Sequence, residues 1–195
     1  MPVDLKLKRP AQISRCAQLR DRPTQGIEHR MTVRALSSTA QRVQALQAEA
    51  KELESEILGL VRQMAPELLD LKGVGQITAA QVLVSWSHPG RFRSEGAFAS
   101  FAGVSPIPAS SGLTNRHRIN RRGDRQLNRA LHTIRLIRMR LDPARKTYGA
   151  RRISEGKTSR DAQRCLKRAV CRQLFKILER SDRTTTISSE QLDAI

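Results

Sequence analysis

Aromatic residues are scarce in this chain, at 3% of 195 residues. Surfaces that bind single-stranded nucleic acid by stacking on its bases need several aromatic rings, so the composition argues against that class of protein. The hydrophobic core is therefore expected to consist mainly of Leu, Ile, Val and Ala.

Cysteine is rare as well, and the chain contains only Cys16, Cys165 and Cys171. Their spacing matches no metal-ligand pattern, and an odd number of cysteines does not fit a disulfide framework. Cys165 and Cys171 fall in a helical pattern, which predicts that both side chains fill space in the core.

Two further features are missing from the sequence. No apolar run reaches the length that spans a membrane, and the N-terminus has no secretory signal pattern, so a reducing cytoplasm is expected. Paired Asp or Glu residues in an apolar strand are also missing, and such pairs are what metal-assisted phosphoryl transfer requires. We therefore predict no self-contained metal-dependent nuclease site and no cofactor bound by this chain alone.

Positive charge, by contrast, is abundant and unevenly distributed, with a formal net charge of +18. Residues 71–180 carry twenty-four Lys and Arg against six Asp and Glu, whereas residues 36–70 carry three against six. Arginine dominates, and its planar fork suits bidentate contacts with phosphate and guanine. A GC-rich genome would raise the arginine content everywhere, but it does not explain the acidic segment. The distribution predicts a nucleic-acid-binding face.

The first third of the sequence predicts an irregular segment followed by a coiled-coil helix. Residues 1–34 are basic without a clear period, and we expect them to be disordered or a remnant of another domain. Residues 35–66 predict a helix that begins near Ser38 and presents a strict heptad stripe formed by Val43, Leu46, Ala50, Leu53, Ile57, Leu60 and Met64. The regular narrow stripe favours a partner helix over packing on the same domain.

A glycine turn between two short helical patterns comes next in the chain. Gly73, Val74 and Gly75 allow a tight turn with outward N–H groups, followed by the positive N-terminal end of a helix. This pattern predicts a helix-hairpin-helix motif that binds a backbone phosphate without reading sequence. An ordinary turn between helices is the alternative.

The remaining sequence predicts a compact helical domain over residues 67–180 and a flexible tail over 181–195. Asp124 is expected to cap a helix that runs to about Leu141, and further helices are expected over about 143–155 and from Thr158. The fold class is thus mainly α: a coiled-coil helix, then a helical domain with a helix-hairpin-helix motif and a basic loop or hairpin arm.

The most distinctive segment of this domain is a Pro- and Gly-rich loop with two serines, Ser110 and Ser111, directly before a run of arginines. A hydroxyl beside many guanidinium groups suits phosphodiester chemistry, because it can attack phosphorus while the cations stabilise the developing charge. A polar loop in a DNA-binding domain is the alternative interpretation. The expected nucleic-acid contacts in this run are Arg116, Arg118, Arg121, Arg122, Arg125, Asn128 and Arg129.

Two histidines of the same region are candidate bases. His117 lies between two arginines, which would lower its pKa, but a solvated loop position is the better interpretation. His132 follows the apolar Leu131 and is predicted to have a half-buried structural role.

Taken in order, these segments resemble the C-terminal half of insertion-sequence 110 family transposases, the serine-containing DEDD recombinases related to Piv-type invertases. The resemblance rests on the heptad helix and on four segments, over about residues 35–180. These are Leu71-Lys-Gly-Val-Gly-Gln-Ile-Thr-Ala79, the segment from Arg93 to Gly112 that ends in Ser-Ser-Gly, Arg116-His-Arg-Ile-Asn-Arg-Arg-Gly-Asp-Arg-Gln-Leu-Asn-Arg-Ala-Leu-His132 and Cys165-Leu-Lys-Arg-Ala-Val-Cys-Arg172.

The resemblance implies DNA transposition as the function. It implies that the serine before the glycine, Ser111, is a nucleophile that becomes joined to DNA, with Ser110 as the second candidate. The turn and the arginines would hold DNA and a guide (bridge) RNA, and the heptad helix over 36–64 would mediate self-association. A bacterial cytoplasmic location in association with the nucleoid follows from the same family.

Members of that family carry a RuvC-like domain before the coiled coil, and its four acids bind a divalent metal, expected to be Mg²⁺. Only Asp4, Asp21 and Glu28 precede the heptads here, so we expect this polypeptide alone not to recombine DNA. A separate RuvC-like domain or a full-length transposase would supply the metal site. The alternatives are a non-enzymatic module that binds nucleic acid and oligomerises and, ranked last, a ribosomal or nucleoid-type basic protein.

Overall fold

The computed structural model describes residues 9–108, 117–118, 120, 122–156 and 158–192, with side chains up to residue 180 except those of 108, 117, 118 and 145. Within these ranges the chain is mainly helical, which confirms the predicted class: it has seven α-helices and one pair of two-residue strands. It divides into two compact units, Met1–Glu56 and Ile57–Ile195.

The first unit contains helix α1, Arg9–Ala17, and the longer part of helix α2, Ile27–Met64. The hydroxyl of Ser37 donates to the carbonyl of Ala17 at 3.1 Å, and the amide of Gln41 donates to the same carbonyl at 3.3 Å. Carbonyls at a helix C-terminus have no partner within their own helix, so these bonds from α2 complete the end of α1.

The expectation of an irregular N-terminal segment is therefore wrong for residues 9–17 and 27–33, which are helical. Helix α2 begins at Ile27, one residue after Gly26, and not near Ser38. Extending an existing helix adds one hydrogen bond for each residue that is fixed, and only a new nucleus is costly. The heptad helix therefore continues toward the N-terminus through residues that have no heptad pattern of their own.

The heptad stripe of α2 is largely uncovered among the described residues. Leu46, Leu53 and Leu60 are 53%, 51% and 58% exposed, respectively. Near the C-terminal end of the helix, the stripe residue Ile57 is half-buried and packs against the core of the second unit together with Val61, one turn further along, whereas the three leucines stay exposed. The structure therefore leaves the stripe available to a partner helix, and the coiled coil stays a prediction.

The second unit is formed by the end of α2 and the elements that follow it. They are a 3₁₀ turn Pro66–Leu68, α3 Gln76–Trp86, α4 Glu95–Phe101, β1 Ile107–Pro108, β2 His117–Arg118, α5 Arg125–Leu141, α6 Pro143–Ser154 and α7 Ser159–Leu192. Helix α5 packs against α3, α6 and α7, and α4 packs on α7. Helix α5 is thus the central element of this unit.

The core of the second unit is mostly aliphatic, as the composition predicts, but it also contains a phenylalanine cluster. The rings of Phe92 and Phe98 lie 5.1 Å apart edge to face, and those of Phe98 and Phe175 are stacked at 5.5 Å. Phe98 is fully buried and Phe101 is half-buried. The four phenylalanines are therefore concentrated where α4 packs against α7.

The two cysteines of α7 lie on its inner side, as predicted. Cys171 is fully buried and Cys165 is half-buried. Burial raises the pKa of the Cys171 thiol to about 12, so the thiol stays protonated near neutral pH. Cys171 is therefore a packing residue.

The helix boundaries of this unit follow local capping signals. The carboxylate of Asp124 accepts the N–H groups of Gln126 and Leu127 at 2.8 and 3.1 Å, which confirms the predicted cap of α5. Helix α5 ends at Leu141 as expected. The predicted flexible tail is wrong for 181–192, because α7 continues to Leu192. Helix propagation from the packed part of α7 explains the extension.

Candidate nucleic-acid interface

The segment that carries the two serines begins and ends at a close contact between two glycines. A Cβ on Gly123 would lie 2.5 Å from the Cα of Gly103 and 2.7 Å from the carbonyl oxygen of Phe101. The N–H of Asp124 donates to that same carbonyl at 2.7 Å. Only glycine fits at position 123, and the two ends of the segment 103–123 are held against each other.

The polar residues around this contact fix it to the rest of the domain. Asp124 accepts a bond from the hydroxyl of Ser85 in α3 at 2.9 Å, in addition to its role as the cap of α5. The amide of Asn120 donates to the carbonyl of Ser100 at 2.9 Å. Helices α3, α4 and α5 therefore all contribute to one fixed base beneath this segment.

Asn128 belongs to this base and not to the exposed face. Its amide nitrogen donates to the carbonyl of Ala102 at 2.8 Å, and its amide oxygen accepts from the ammonium of Lys167 in α7 at 2.7 Å. Both polar ends of the side chain thus have partners inside the domain. This arrangement favours a structural role for Asn128 over the contact with nucleic acid that the sequence predicts.

Three of the predicted arginines lie on the surface next to this base. The side chains of Arg122, Arg125 and Arg129 are exposed, and the last two are one turn apart on α5. Arg118 lies in β2, where it pairs with Ile107 of β1, in the region of the predicted hairpin arm. Four predicted residues lie outside the described residues, together with the side chain of Arg118: Ser110, Ser111, Arg116 and Arg121.

The glycine turn before α3 faces the domain more than the sequence suggests. Gly73 has a φ of +83°, and a Cβ there would lie 3.1 Å from the carbonyl of Ile134 in α5. The N–H of Val74 donates to Leu71, and the N–H of Gly75 donates to the hydroxyl of Thr78 at 3.0 Å. Two of the three N–H groups expected to hold phosphate are thus already bonded. Phosphate binding at this turn stays a prediction.

Arg138 connects this turn to the helices behind it. The side chain is 5% exposed, and its Nε donates to the carbonyl of Lys72 at 2.7 Å. Its Nη1 donates to the amide oxygen of Gln173 in α7, also at 2.7 Å. Part of the arginine excess therefore holds the fold together and is not available to a ligand.

A second group of cations, of which the sequence singles out only His132, lies between α5 and α7. It contains His132, Arg135 and Lys167. Burial and the charges of Arg135 and Lys167 lower the pKa of His132. Burial followed by the charge of Arg135 lowers the pKa of Lys167, and burial lowers that of Arg135. The positive groups of Arg135 and Lys167 are thus close together in a partly buried place, and they disfavour protonation of the neighbouring His132.

Two features are not found in the described part of the chain. Among the described residues, no group of three or more His, Cys, Asp or Glu side chains could hold a metal ion. Within the same residues, no helix has the length and apolar character needed to cross a membrane.

Comparison with known proteins relates one part of the second unit to a protein family. Residues 65–150, which include the glycine turn, the serine segment and α5, match the family model described as the IS116/IS110/IS902 family of transposases. The chain carries a transposase domain of this family. The two glycines in contact, Asp124 and the exposed arginines all lie within the matched transposase domain.

Two curated proteins extend the likeness beyond this domain. An uncharacterized 43.6 kDa protein of insertion element IS110 from Streptomyces coelicolor is 34% identical over 144 residues, which is 72% of this chain and 36% of that protein. An uncharacterized 42 kDa protein of IS900 from Mycobacterium paratuberculosis is 32% identical over 143 residues, 71% of this chain and 36% of that protein. The chain thus spans little more than a third of the length of either relative.

Proposed function

We propose that this chain is the part of an insertion-sequence transposase that binds DNA, together with a guide RNA, and supplies Ser111 as the nucleophile for strand exchange. The observation that carries the proposal is the transposase domain at 65–150, in which exposed arginines surround the fixed base of the serine segment. In this reaction the Ser111 hydroxyl attacks a DNA phosphorus, a serine–phosphate ester forms, and a deoxyribose hydroxyl leaves.

The position of the arginines supports the DNA-binding part of the proposal. Arg122, Arg125 and Arg129 are exposed where the chain returns from the serine segment into α5. Guanidinium groups at that place neutralise backbone phosphates and stabilise the charge that develops on a phosphorus under attack. Their contacts carry no sequence information, which is consistent with target choice by a guide RNA.

The metal requirement is met by a second domain in this proposal. A serine hydroxyl is a weak nucleophile near neutral pH and needs a base or a metal ion to activate it. Four carboxylates of a RuvC-like domain, in the full-length transposase or a separate chain, would bind Mg²⁺ there. The domain with Ser111 would then supply the nucleophile and the DNA contacts, and it would not recombine DNA without that partner.

We expect the binding of DNA to depend on salt through the arginines of this face. The triple variant Arg122→Gln, Arg125→Gln and Arg129→Gln should lower the slope of log K against log salt by about 3, because each phosphate contact contributes about 1. Fluorescence anisotropy with a labelled duplex over a range of salt concentrations measures this slope.

A matched triple variant removes the same charge elsewhere: Arg62→Gln, Arg140→Gln and Arg160→Gln, all three exposed in the structure. Its slope should change by less than about 1, the value of a single phosphate contact. Equal slopes for the two triple variants, or binding that does not respond to salt, would contradict a specific interface.

Self-association through the heptad helix over 36–64 belongs to the same proposal. Replacing Leu46 and Leu53 by Asn should raise the association midpoint at least about 100-fold, because each buried leucine contributes about 2 kcal/mol and 1.4 kcal/mol is tenfold. Sedimentation velocity over a concentration series measures the midpoint. Ala48→Asn with Ser55→Asn, on the opposite side of the heptad, is the matched control. The coiled coil is wrong if both pairs behave alike.

A second candidate function needs no chemistry. The exposed stripe of α2 and the basic face of α5 would by themselves give a module that binds nucleic acid, oligomerises and interferes with an intact transposase. It predicts the same salt dependence but no covalent product. Replacement of Ser111 would then have no effect on anything that the protein does.

A further inference from the structure

The geometry of the cation group between α5 and α7 leaves the guanidinium of Arg135 with poor hydrogen bonds. The Nη2 of Arg135 lies 3.3 Å from Nδ1 and 3.4 Å from Nε2 of His132. Nearly equal distances to both ring nitrogens indicate that the guanidinium spans the imidazole and does not donate to one nitrogen in its plane. Arg135 is only 5% exposed, and its buried Nε has no hydrogen-bond partner.

No carboxylate balances these cations within the described part of the chain. The acids of the surrounding elements have other partners: Glu95 pairs with Arg168 and Arg172, Asp161 pairs with Arg164, and Asp124 accepts from Ser85 and the start of α5. An arginine that is buried without a counter-ion is costly. The described part of the protein therefore provides no counter-ion for this group.

We propose that the cation group between α5 and α7 binds one backbone phosphate of a nucleic acid through His132, Arg135 and Lys167. A phosphate offers several acceptor oxygens, which match the guanidinium fork, the ammonium group and a protonated imidazole. Its negative charge compensates the positive charges of Arg135 and Lys167, which repel each other, and favours the protonated form of His132. His132 is the exposed member of the group, Lys167 is half-buried and Arg135 is buried beside them, so the phosphate would meet His132 first.

The surroundings of the cation group favour nucleic acid over a free phosphate ion. Arg125, Arg129 and His132 are exposed and follow one another at i, i+4 and i+7 on the same face of α5. A nucleic-acid backbone that crosses the two arginines would continue along this face to His132. The choice of nucleic acid rests on the proposed function, whereas the phosphate site itself rests on the geometry alone.

Removal of the Lys167 charge tests the site with the full chain and a labelled duplex. Lys167→Met should lower the salt slope by about 1 and weaken binding about tenfold, whereas Lys167→Arg keeps the charge and should bind within a few-fold of the wild type. Lys176→Met removes one charge from an exposed position of the same helix and is the matched control. Thermal melts check that the variants fold, because Lys167 also bonds Asn128.

The pH dependence of binding gives a second readout. Among the described residues, the charged groups that act on His132 are Arg135 of its own helix and Lys167 of α7, and none comes from α3 or α6. Burial and these two charges lower the pKa of His132. A phosphate anion raises that pKa, so a proton is taken up on binding and affinity should increase as the pH falls from 8 to 5.5. His132→Gln should flatten this increase, and His88→Gln, an exposed control, should not.

A titration with inorganic phosphate alone separates failure of this site from failure of the proposed function. Phosphate should raise the pKa of His132, which nuclear magnetic resonance of its imidazole measures, and Lys167→Met should remove this response.

A wild-type chain that binds no duplex at any salt would refute the proposed function and, with it, the choice of nucleic acid. A missing response of His132 to phosphate would overturn the site. Equal effects of Lys167→Met and Lys176→Met on duplex binding would overturn the assignment to nucleic acid.

Discussion

The variant Gly123→Ala should lose about 3 kcal/mol of stability, because the new Cβ has no space at the base of the serine segment. It would lie 2.5 Å from the Cα of Gly103 and 2.7 Å from the carbonyl oxygen of Phe101. Those atoms belong to backbone and cannot rotate away. Relief of the overlap would separate the two ends of the segment and weaken the bond from Asp124 to Phe101.

Thermal unfolding followed by circular dichroism measures this effect, and a loss of 3 kcal/mol corresponds to a midpoint about 9 °C lower in a chain of this size. Gly59→Ala is the control of opposite sign. Gly59 lies in the interior of α2, and a Cβ there meets nothing within 4 Å. That variant should gain up to about 1 kcal/mol from helix propensity. A midpoint for Gly123→Ala equal to that of the wild type would show that the glycine contact does not hold the base.

In the proposed reaction the Ser111 hydroxyl is the group that bonds to phosphorus, so Ser111→Ala should remove the covalent protein–DNA product altogether, a fall of at least about 10³-fold. The reaction mixture contains the full chain, a separately produced RuvC-like domain, Mg²⁺, guide RNA and labelled DNA. The product is resolved from free DNA by denaturing gel electrophoresis. DNA binding by the variant should stay within about twofold of the wild type, since one neutral hydroxyl contributes little to phosphate binding.

Ser110→Ala is the matched control, because it removes the neighbouring hydroxyl from the same segment and leaves Ser111 in place. Its covalent product should stay within about fivefold of the wild type, as expected for a residue outside the chemical step. A product that survives in Ser111→Ala but is lost in Ser110→Ala would move the nucleophile by one position. The wild type must form the product in this mixture, and its failure to do so would favour the non-enzymatic module.

Much of the helical architecture follows from signals between near neighbours in the sequence. The carboxylate of Asp124 caps α5 as predicted, and the apolar face from Leu127 to Ile134 is buried as its period requires. The same local rules end α5 at Leu141 before a proline. Where the prediction fails, at the start of α2 and the end of α7, a helix has continued through residues without a strong signal of their own.

The candidate site was accessible to sequence reasoning only in part. The excess of arginine indicated the face, and Arg122, Arg125 and Arg129 are indeed exposed. Asn128 is a predicted contact in the same run, yet its amide is used between Ala102 and Lys167. No local pattern distinguishes an arginine that faces solvent from Arg138, which is buried.

The sequence by itself determined the helical class, the helix caps, the heptad stripe and the concentration of positive charge, since these depend on residues within a turn or two of one another. Only the tertiary structure decided which cations remain free and which are used internally. Gly103 meets Gly123, and Lys167 meets Asn128 39 residues away. Such contacts depend on how helices pack, and packing between distant segments leaves no periodic trace in either of them.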